Sequence, residues 1–306
     1  MSPDRAPRIR IDPALARSWL LVSGARPEAF GEAAASGADA VVLDVEDAVA
    51  AADKAQARDA VVRWLRRGTG SAWVRVNDAT TEHWEHDLEA LGGLPVGAGV
   101  AGTAGLAGVM LAKAESAEQV AATAARLPAG TPVVALIESA AGLEAAVAVA
   151  AEPATFRLAF GSGDFRRDTG MSASDLAMAY PRSRLVLASR LAQLPGPIDG
   201  PSLSDDPVLV HESAALSASL GLTGKLCLKP AQAEPVNAAL SPSADELAWA
   251  SGVIADFAAR GGVLRDGSDL PRLARARTLE HQAAALGLAA PRRPVEHDRR
   301  VLEKKS

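Results

Sequence analysis

Two acidic residues, Glu138 and Asp164, each follow a short apolar segment of the kind that forms a buried strand. Glu138 ends the segment 133–138, and Asp164 comes shortly after the segment 156–160. Because neighbouring parallel strands present their carboxyl ends at one edge, these carboxylates would lie side by side, as in a site for a hard cation such as Mg²⁺. An acidic residue after a strand is also a common helix N-cap, so the surrounding residues must decide between the two interpretations.

The elements that would position this pair alternate regularly along the chain. Eight apolar segments have strand character, and helical periodicity separates them: 18–23, 39–46, 72–77, 107–113, 133–138, 156–160, 196–200 and 224–229. This count predicts the α/β class and a closed (β/α)8 TIM barrel with a C-terminal helical extension. The rival, an open doubly wound sheet, would need a glycine-rich phosphate turn after its first strand, and Gly24 alone does not make one.

The chain divides into four expected parts. We expect a flexible N-terminal arm at 1–16, the catalytic barrel at 17–260, the helical extension at 261–290 and a charged tail at 291–306. Local signals predict a long helical stretch at 174–193 that is broken or kinked at Pro181. A capping box of Ser243 and Glu246 marks the start of the helix that follows the eighth strand.

Composition excludes several classes of protein. A chain of 306 residues with 48% hydrophobic and 23% charged residues is ordinary for a soluble enzyme, and its net charge of −5 argues against a nucleic-acid surface. The single cysteine, Cys227, rules out an internal disulfide and fits a cytoplasmic protein. The polar start predicts no signal peptide. The uncharged stretch from Leu91 to Ala112 approaches the length of a membrane span, but its seven glycines indicate a loop that runs into a strand.

Charged or polar residues follow nearly every predicted strand. They are Asp44, Glu46, Asp47, Arg75, Asn77, Lys113, Glu138, Asp164, Asp199 and Lys229. In a (β/α)8 barrel these ends form the active-site face. Any one of them could be a cap or a surface ion pair, but together they suit a divalent cation and an anionic substrate.

The residue types suggest roles at this face. Glu138 and Asp164 as direct ligands would leave most Mg²⁺ positions to water and to a substrate such as a 2-oxo acid, whose oxo oxygen the metal would polarise. Arg75 could hold a carboxylate or a developing enolate oxygen, and Glu46 and Asp47 could hold the metal waters. We interpret the histidines of the helical segments as surface or packing residues: His83, His86 and His211.

A series of motifs carries a family resemblance. In order they are Ser23–Glu28, Gly37–Val49, Val74–Asn77, Lys113–Ser116, Ile137–Ser139, Gly161–Phe165, Ile198–Gly200, Gly224–Lys225, Lys229–Gln232 and Ser241–Ser243. With these motifs, residues 17–277 resemble the HpcH/HpaI aldolase and citrate lyase β-subunit family, most closely its citrate-lyase-β-like branch.

The resemblance implies a Mg²⁺-dependent carbon–carbon lyase with a (β/α)8 barrel. Its substrates would be 3-hydroxyacyl thioesters such as citryl-CoA, malyl-CoA or related CoA or acyl-carrier derivatives, with an oxo acid as the other reactant, and a homo-oligomer (trimer or hexamer) is implied. By motif match, Glu138 and Asp164 are the metal ligands, Arg75 binds substrate, and Glu46 and Asp47 are the acidic pair near the metal. Arg26 would lie near the thioester carrier, and Asp269 matches an acid that a neighbouring subunit contributes.

Three departures from the family pattern leave the substrate open. Ser23-Gly24 replaces Pro-Gly, Leu228-Lys229-Pro230 replaces Ile-His-Pro, and the segment before Asp269 is slightly shorter. We hypothesise that Lys229 adds an anion contact or a salt bridge. The alternatives are an aldolase on a free hydroxy-oxo acid, a malate-synthase or thioesterase variant, and a non-catalytic subunit or metal-binding paralogue.

Overall fold

The structure, a computed structural model, describes residues 11–67, 70–97 and 105–288, and these form a closed parallel barrel and a helical unit. The strands pair in sequence order, and the last pairs with the first. They are β1 Ser18–Ser23, β2 Ala40–Asp44, β3 Ser71–Val76, β4 Gly105–Leu111, β5 Val133–Ile137, β6 Thr155–Phe160, β7 Ile198–Asp199 and β8 Gly224–Cys227. The predicted (β/α)8 barrel is confirmed.

Helices follow the strands as expected for this fold. They are α1 Phe30–Ala35, α2 Lys54–Arg66, α3 Glu82–Leu91, α4 Ala117–Ala125, α5 Ala140–Ala151, α6 Ser162–Thr169, α7 Asp175–Leu191, α8 Pro207–Ser219, α9 Ala233–Ala239, α10 Ala244–Ala259 and α11 Asp269–Ala285. Pro181 does not break α7, which continues through this residue as one helix. The alternative expectation, a kink at Pro181, stays a prediction.

Two of these helices were not predicted. In α6 only Phe165 is buried, so the sequence shows no apolar stripe. In α9 the sequence is short and contains Pro235, a residue that usually ends a helix but is tolerated here in the first turn. The omission of α6 matters because this helix carries Asp164.

The barrel interior is filled with side chains. Alternate residues of the strands point inward, and Trp19 and Trp73 meet edge to face with their ring centres 5.1 Å apart. The outward residues, such as Leu43 and Val74, pack under the helices. Below the rings, the buried Arg157 donates hydrogen bonds to the backbone carbonyls of Ala16 and Gly196. Because side chains fill the interior, we expect the chemistry at the rim.

Asp199 does not belong to that rim, contrary to our expectation. Its carboxylate accepts hydrogen bonds from Arg182 Nε at 3.0 Å, Ser217 Oγ at 2.5 Å and Lys225 Nζ at 2.9 Å. All four side chains are buried. This network ties β7 and β8 to α7 and α8, so Asp199 stabilises the barrel.

Replacing Asp199 with Asn is expected to lower the free energy of unfolding by about 3 kcal/mol at pH 7, because Arg182 and Lys225 would lose their shared counter-charge. Burial alone would raise the pKa of Asp199, but the charges of Lys225 and Arg182 and the hydrogen bond from Ser217 hold it below its usual value. The carboxylate therefore stabilises the fold above the ordinary Asp pKa of about 3.9, and this contribution is lost as the pH falls through the lower native pKa. Urea unfolding of wild type and Asp199→Asn measures the difference, which should shrink in acid. An equal difference at neutral and acidic pH would contradict this account.

Residues 241–288 form a separate compact unit. Within it α10 packs against α11, and Leu247, Ala250 and Leu279 lie in their shared core. The capping box of Ser243 and Glu246 is present as predicted. The unit begins at Ser241, so α10 groups with α11 rather than with the barrel, where our boundary at residue 260 placed it.

Some predictions concern residues that the structure does not describe. Most of the predicted arm (1–10), part of the glycine-rich loop (98–104) and the charged tail (291–306) lie outside the described residues. Within the described ranges, no helix has both the length and the apolar character needed to cross a membrane.

Candidate active site

Glu138 lies immediately after β5, with its carboxylate held in place by the backbone. Its Oε1 accepts a hydrogen bond from the Lys113 amide at 2.8 Å. A β-carbon at Gly161 would collide with the Glu138 carboxyl group, so only glycine at that position leaves it room. The cap of α5 is Ser139, whose Oγ accepts from the Gly142 amide at 3.1 Å. Glu138 is therefore not a helix cap.

Asp164 lies shortly after β6, as expected, but within the first turn of α6, a helix that the sequence does not predict. The N-cap of this helix is Gly161, so Asp164 does not cap it either. Its Oδ2 is buried and accepts no hydrogen bond, although Arg167 Nη2 lies at 3.2 Å and Lys113 Nζ at 3.7 Å. The oxygen therefore has protein cations near it but no hydrogen-bond donor, so it can still accept a metal ion.

Arg75, on β3, is held by Asp44 on β2. Its Nε donates to Asp44 Oδ1 at 2.8 Å and its Nη2 to Asp44 Oδ2 at 2.5 Å. The third nitrogen, Nη1, lies 3.4 Å from Glu46 Oε2. Because Asp44 occupies two nitrogens of the fork, Arg75 presents a fixed Nη1 edge to the rim instead of a free bidentate fork.

Glu46 and Asp47 follow β2 and meet Lys113, which follows β4. Glu46 is buried, and its Oε1 lies 2.6 Å from Lys113 Nζ. Asp47 is exposed, with its amide donating to Glu46 Oε2 at 2.8 Å and its carboxylate 3.8 Å from Lys113 Nζ. The acidic pair is thus joined to Asp164 through one ammonium group.

Lys54 and Asn77 hold the loop that follows β2. Lys54 Nζ donates to the backbone carbonyls of Val45 at 3.0 Å and Glu46 at 2.9 Å, and to Asn77 Oδ1 at 2.7 Å. Asn77 in turn donates to the Val45 carbonyl at 3.0 Å. Asn77, which we placed among the rim residues, therefore holds the loop that carries Glu46.

The electrostatics of the cluster favour an added cation. Burial and the negative charge of Glu46 raise the pKa of Glu138 to about 8, against the opposing charge of Arg75. Burial also raises the pKa of Glu46, despite Arg75 and Lys113. Burial opposes the ionisation of Asp47 as well, but its hydrogen bond with Glu46 and the charge of Lys113 lower its pKa. A metal ion is favoured in a site whose acidic groups resist ionisation, because the charge of the metal stabilises their ionised forms.

The donor set fits Mg²⁺ held by two carboxylates. Among the described residues, no three carboxylate, imidazole or thiolate side chains gather into a metal site. Glu138 and Asp164 as two direct ligands would leave the other positions to water and substrate, as Mg²⁺ prefers, and this assignment stays a prediction.

Comparison with known proteins places this chain. A sequence model described as HpcH/HpaI aldolase/citrate lyase matches residues 17–230. The chain belongs to this family. The model of the HpcH/HpaI aldolase C-terminal domain also matches, at residues 245–287, within the second compact unit.

Relatives in the HpcH/HpaI aldolase/citrate lyase family share most of the chain. A citrate lyase subunit beta-like protein from Mycobacterium tuberculosis is 36% identical over 277 residues, which are 87% of this chain and 94% of the relative. A (3S)-malyl-CoA thioesterase from Cereibacter sphaeroides is 32% identical over 79% of this chain and 82% of its own. The crystal structure of M. tuberculosis CitE with magnesium, acetoacetate and coenzyme A superposes with a TM-score of 0.71 at 33% identity, covering 89% of this chain and 99% of that one.

The remaining predicted residues make contacts of their own. Arg26 is exposed after β1 and lies 3.5 Å from Glu28. Lys229 follows β8 and forms an exposed ion pair with Asp205 at 2.6 Å, which is the salt-bridge form of our hypothesis. In the second unit, Asp269 accepts hydrogen bonds from Arg260 Nη1 at 3.0 Å and the Arg265 amide at 2.7 Å.

Sequence reasoning missed the contributions of two residues. Asp44 was placed at the rim without a role, because its pairing with Arg75 depends on the register of β2 against β3, which the sequence does not reveal. Lys113 was also placed at the rim, but nothing in the sequence indicates that its side chain reaches three carboxylates.

Proposed function

We propose that this protein is a Mg²⁺-dependent carbon–carbon lyase that cleaves or forms a 3-hydroxyacyl-CoA-type thioester, such as citryl-CoA, malyl-CoA or a related β-hydroxyacyl-CoA. The observation that carries the proposal is the convergence of Glu138, Asp164, Arg75 and Glu46 around Lys113 at the rim, with one buried Asp164 oxygen that accepts no hydrogen bond. The family adds support, since CitE of M. tuberculosis has been solved with magnesium and oxaloacetate and with magnesium, acetoacetate and coenzyme A.

Glu138 and Asp164 would hold the metal. Bound there, Mg²⁺ supplies Lewis-acid polarisation of an oxo or hydroxyl oxygen. Arg75, fixed by Asp44, binds the carboxylate of the oxo-acid half through its Nη1 edge and keeps the scissile bond oriented. Glu46 and Asp47 hold water around the site by hydrogen bonding.

Cleavage requires one proton to leave the 3-hydroxyl group and one to arrive at C2. As the hydroxyl loses its proton, the C2–C3 bond breaks, C3 becomes the carbonyl carbon of the oxo acid, and the electron pair moves into a thioester enolate. Protonation at C2 then gives the acyl thioester. We propose that a carboxyl group of the Glu46–Asp47 pair, or Asp269 of a neighbouring copy, accepts or delivers one of these protons.

Asp269 would need a second copy of the chain, in line with the trimer or hexamer that the family resemblance implies. Hydrogen bonds from the Arg265 amide and from Arg260 hold the pKa of Asp269 well below its usual range. Asp269 would therefore be present as the carboxylate. Arg26, exposed after β1, would meet the phosphates of CoA or of an acyl carrier.

A thioesterase is the second candidate, because relatives named (3S)-malyl-CoA thioesterase are 32% identical to this chain. Hydrolysis would break the C–S bond and release a free thiol, while lysis releases an oxo acid and keeps the thioester. The two reactions therefore differ in their products.

A panel of 3-hydroxyacyl-CoA thioesters with Mg²⁺ tests the proposal. We expect at least one to yield free oxo acid without free thiol, and we expect no activity on the matching hydroxy acid without CoA. Thiol release in place of oxo acid would favour the thioesterase, and turnover of the free acid would favour an aldolase. A panel with no turnover by the folded, Mg²⁺-loaded protein would support a non-catalytic paralogue.

A further inference from the structure

Lys113 has an unusual backbone. Its φ of +48° is in the left-handed region, and among the described residues only Gln193 shares this property outside glycine. A side chain in this conformation costs about 1 kcal/mol or more and persists where the surroundings enforce it. Here the conformation directs the Lys113 amide to Glu138 Oε1 at 2.8 Å. The backbone of Lys113 thus positions one of the proposed metal ligands.

The Lys113 side chain also lies among the acidic residues of this site. Its ammonium lies 2.6 Å from Glu46 Oε1, 3.7 Å from Asp164 Oδ2 and 3.8 Å from Asp47 Oδ1. Asp164 Oδ2 also lies 3.2 Å from Arg167 Nη2, so Lys113 shares this oxygen with a second protein cation. The three carboxylates come from the loop after β2 and from α6, so they converge from separate segments. The side chain is 28% exposed, which leaves it partly shielded from solvent.

Lys113 remains charged in this setting. Burial alone would lower its pKa, but the hydrogen bond to Glu46 and the charges of Glu46 and Asp47 raise the pKa above the ordinary lysine value. Because carboxylates of the protein surround the ammonium, its charge is balanced without a substrate carboxylate. It neutralises the acid cluster.

We propose that Lys113 is the resident counter-ion of this cluster, which competes with the divalent cation for Asp164 and thereby weakens and sets the metal affinity of the site. The proposal rests on the proposed function, because it assumes that Glu138 and Asp164 are the ligands. Lys113 is a positioning residue in this account: its amide orients Glu138, and its ammonium keeps the acids assembled without metal.

The competing role and a purely structural role predict opposite changes in metal affinity when the ammonium is removed. If the ammonium only held Glu46 and Asp164 in place, its loss would loosen the ligands and weaken metal binding. If it competes, its loss removes a positive charge close to a divalent cation, which strengthens metal binding.

The test is a Mn²⁺ titration that follows the free ion by electron paramagnetic resonance. In Lys113→Gly and Lys113→Met we expect the dissociation constant to fall by about tenfold, since one repulsive charge near the ion is gone. Glycine suits the positive φ and keeps the amide that binds Glu138, so this variant retains the fold. Lys113→Arg should bind as wild type does. An unchanged or raised dissociation constant in Lys113→Gly overturns the proposal.

Two further samples separate the possible failures. Lys229→Met removes a rim lysine that pairs with Asp205 instead of the acid cluster, and its affinity should equal that of wild type. Glu138→Gln should abolish the tight Mn²⁺ site. If wild type shows no Mn²⁺ site that Glu138→Gln removes, the metal proposal itself fails along with this one. If that site exists and Lys113→Gly leaves it unchanged, only the counter-ion role fails.

Discussion

Replacing Glu138 with Gln is expected to reduce kcat/KM by about a thousandfold or more, because a neutral amide cannot supply the charge that holds Mg²⁺ and stabilises the developing oxyanion. The fold should survive. Burial raises the pKa of Glu138 to about 8, so an amide of the same shape removes a charge that burial disfavours. Steady-state assays at saturating Mg²⁺, with thermal unfolding as a check, measure both effects.

The matched control is Glu144→Gln. Glu144 lies on α5, in the same strand–helix unit, and is exposed to solvent. This variant should match wild type in activity and stability. If Glu138→Gln retained activity comparable with Glu144→Gln, Glu138 would not be a metal ligand, and the central assignment would have to be abandoned.

The second large effect is expected at Arg75. Arg75→Lys should lower kcat/KM by about a hundredfold, because an ammonium cannot make two bonds to Asp44 while also presenting a fixed edge to the substrate. The lost bonds are those from Nε at 2.8 Å and from Nη2 at 2.5 Å to a carboxylate that is buried. Most of the loss should be recorded in KM for the oxo-acid half, measured in the condensation direction.

Arg17→Lys provides the matched control for Arg75. Arg17 makes the same kind of two-bond pair, with Asp39, at 2.8 and 3.0 Å, before β1 and β2 and therefore at the opposite end of the barrel. Both variants should lose stability, but only Arg75→Lys should lose activity. Equal activity losses would show that Arg75 acts through the fold and not through the substrate.

The sequence predicted the barrel because its signals are local. Apolar segments such as 133–137 and 40–44 are buried throughout and read as strands without knowledge of their partners. The same pattern placed Glu138 at a strand end. It also placed Asp164 shortly after a strand but did not reveal the helix that carries this residue, since α6 buries only Phe165 and shows no helical stripe.

Contacts between distant residues were not predictable in the same way. The two-bond pair of Arg75 and Asp44 depends on the register of β2 against β3, which places these residues opposite each other. The ammonium of Lys113 among the acids depends on a positive φ, which no residue type other than glycine signals. Asp199 ends a strand as the site residues do, yet its side chain points to α7 and α8.

The most direct measurement follows malyl-CoA, or whichever thioester of the panel is turned over, labelled with carbon-13 at both the α-carbon and the hydroxyl-bearing carbon. We predict that, with Mg²⁺, the one-bond coupling between the two labels disappears as an acyl thioester and an oxo acid form in equal amounts. Chelation of the metal and Glu138→Gln should both preserve the coupling. Retention of the coupling while free CoA thiol accumulates would show hydrolysis, and would contradict carbon–carbon cleavage at this site.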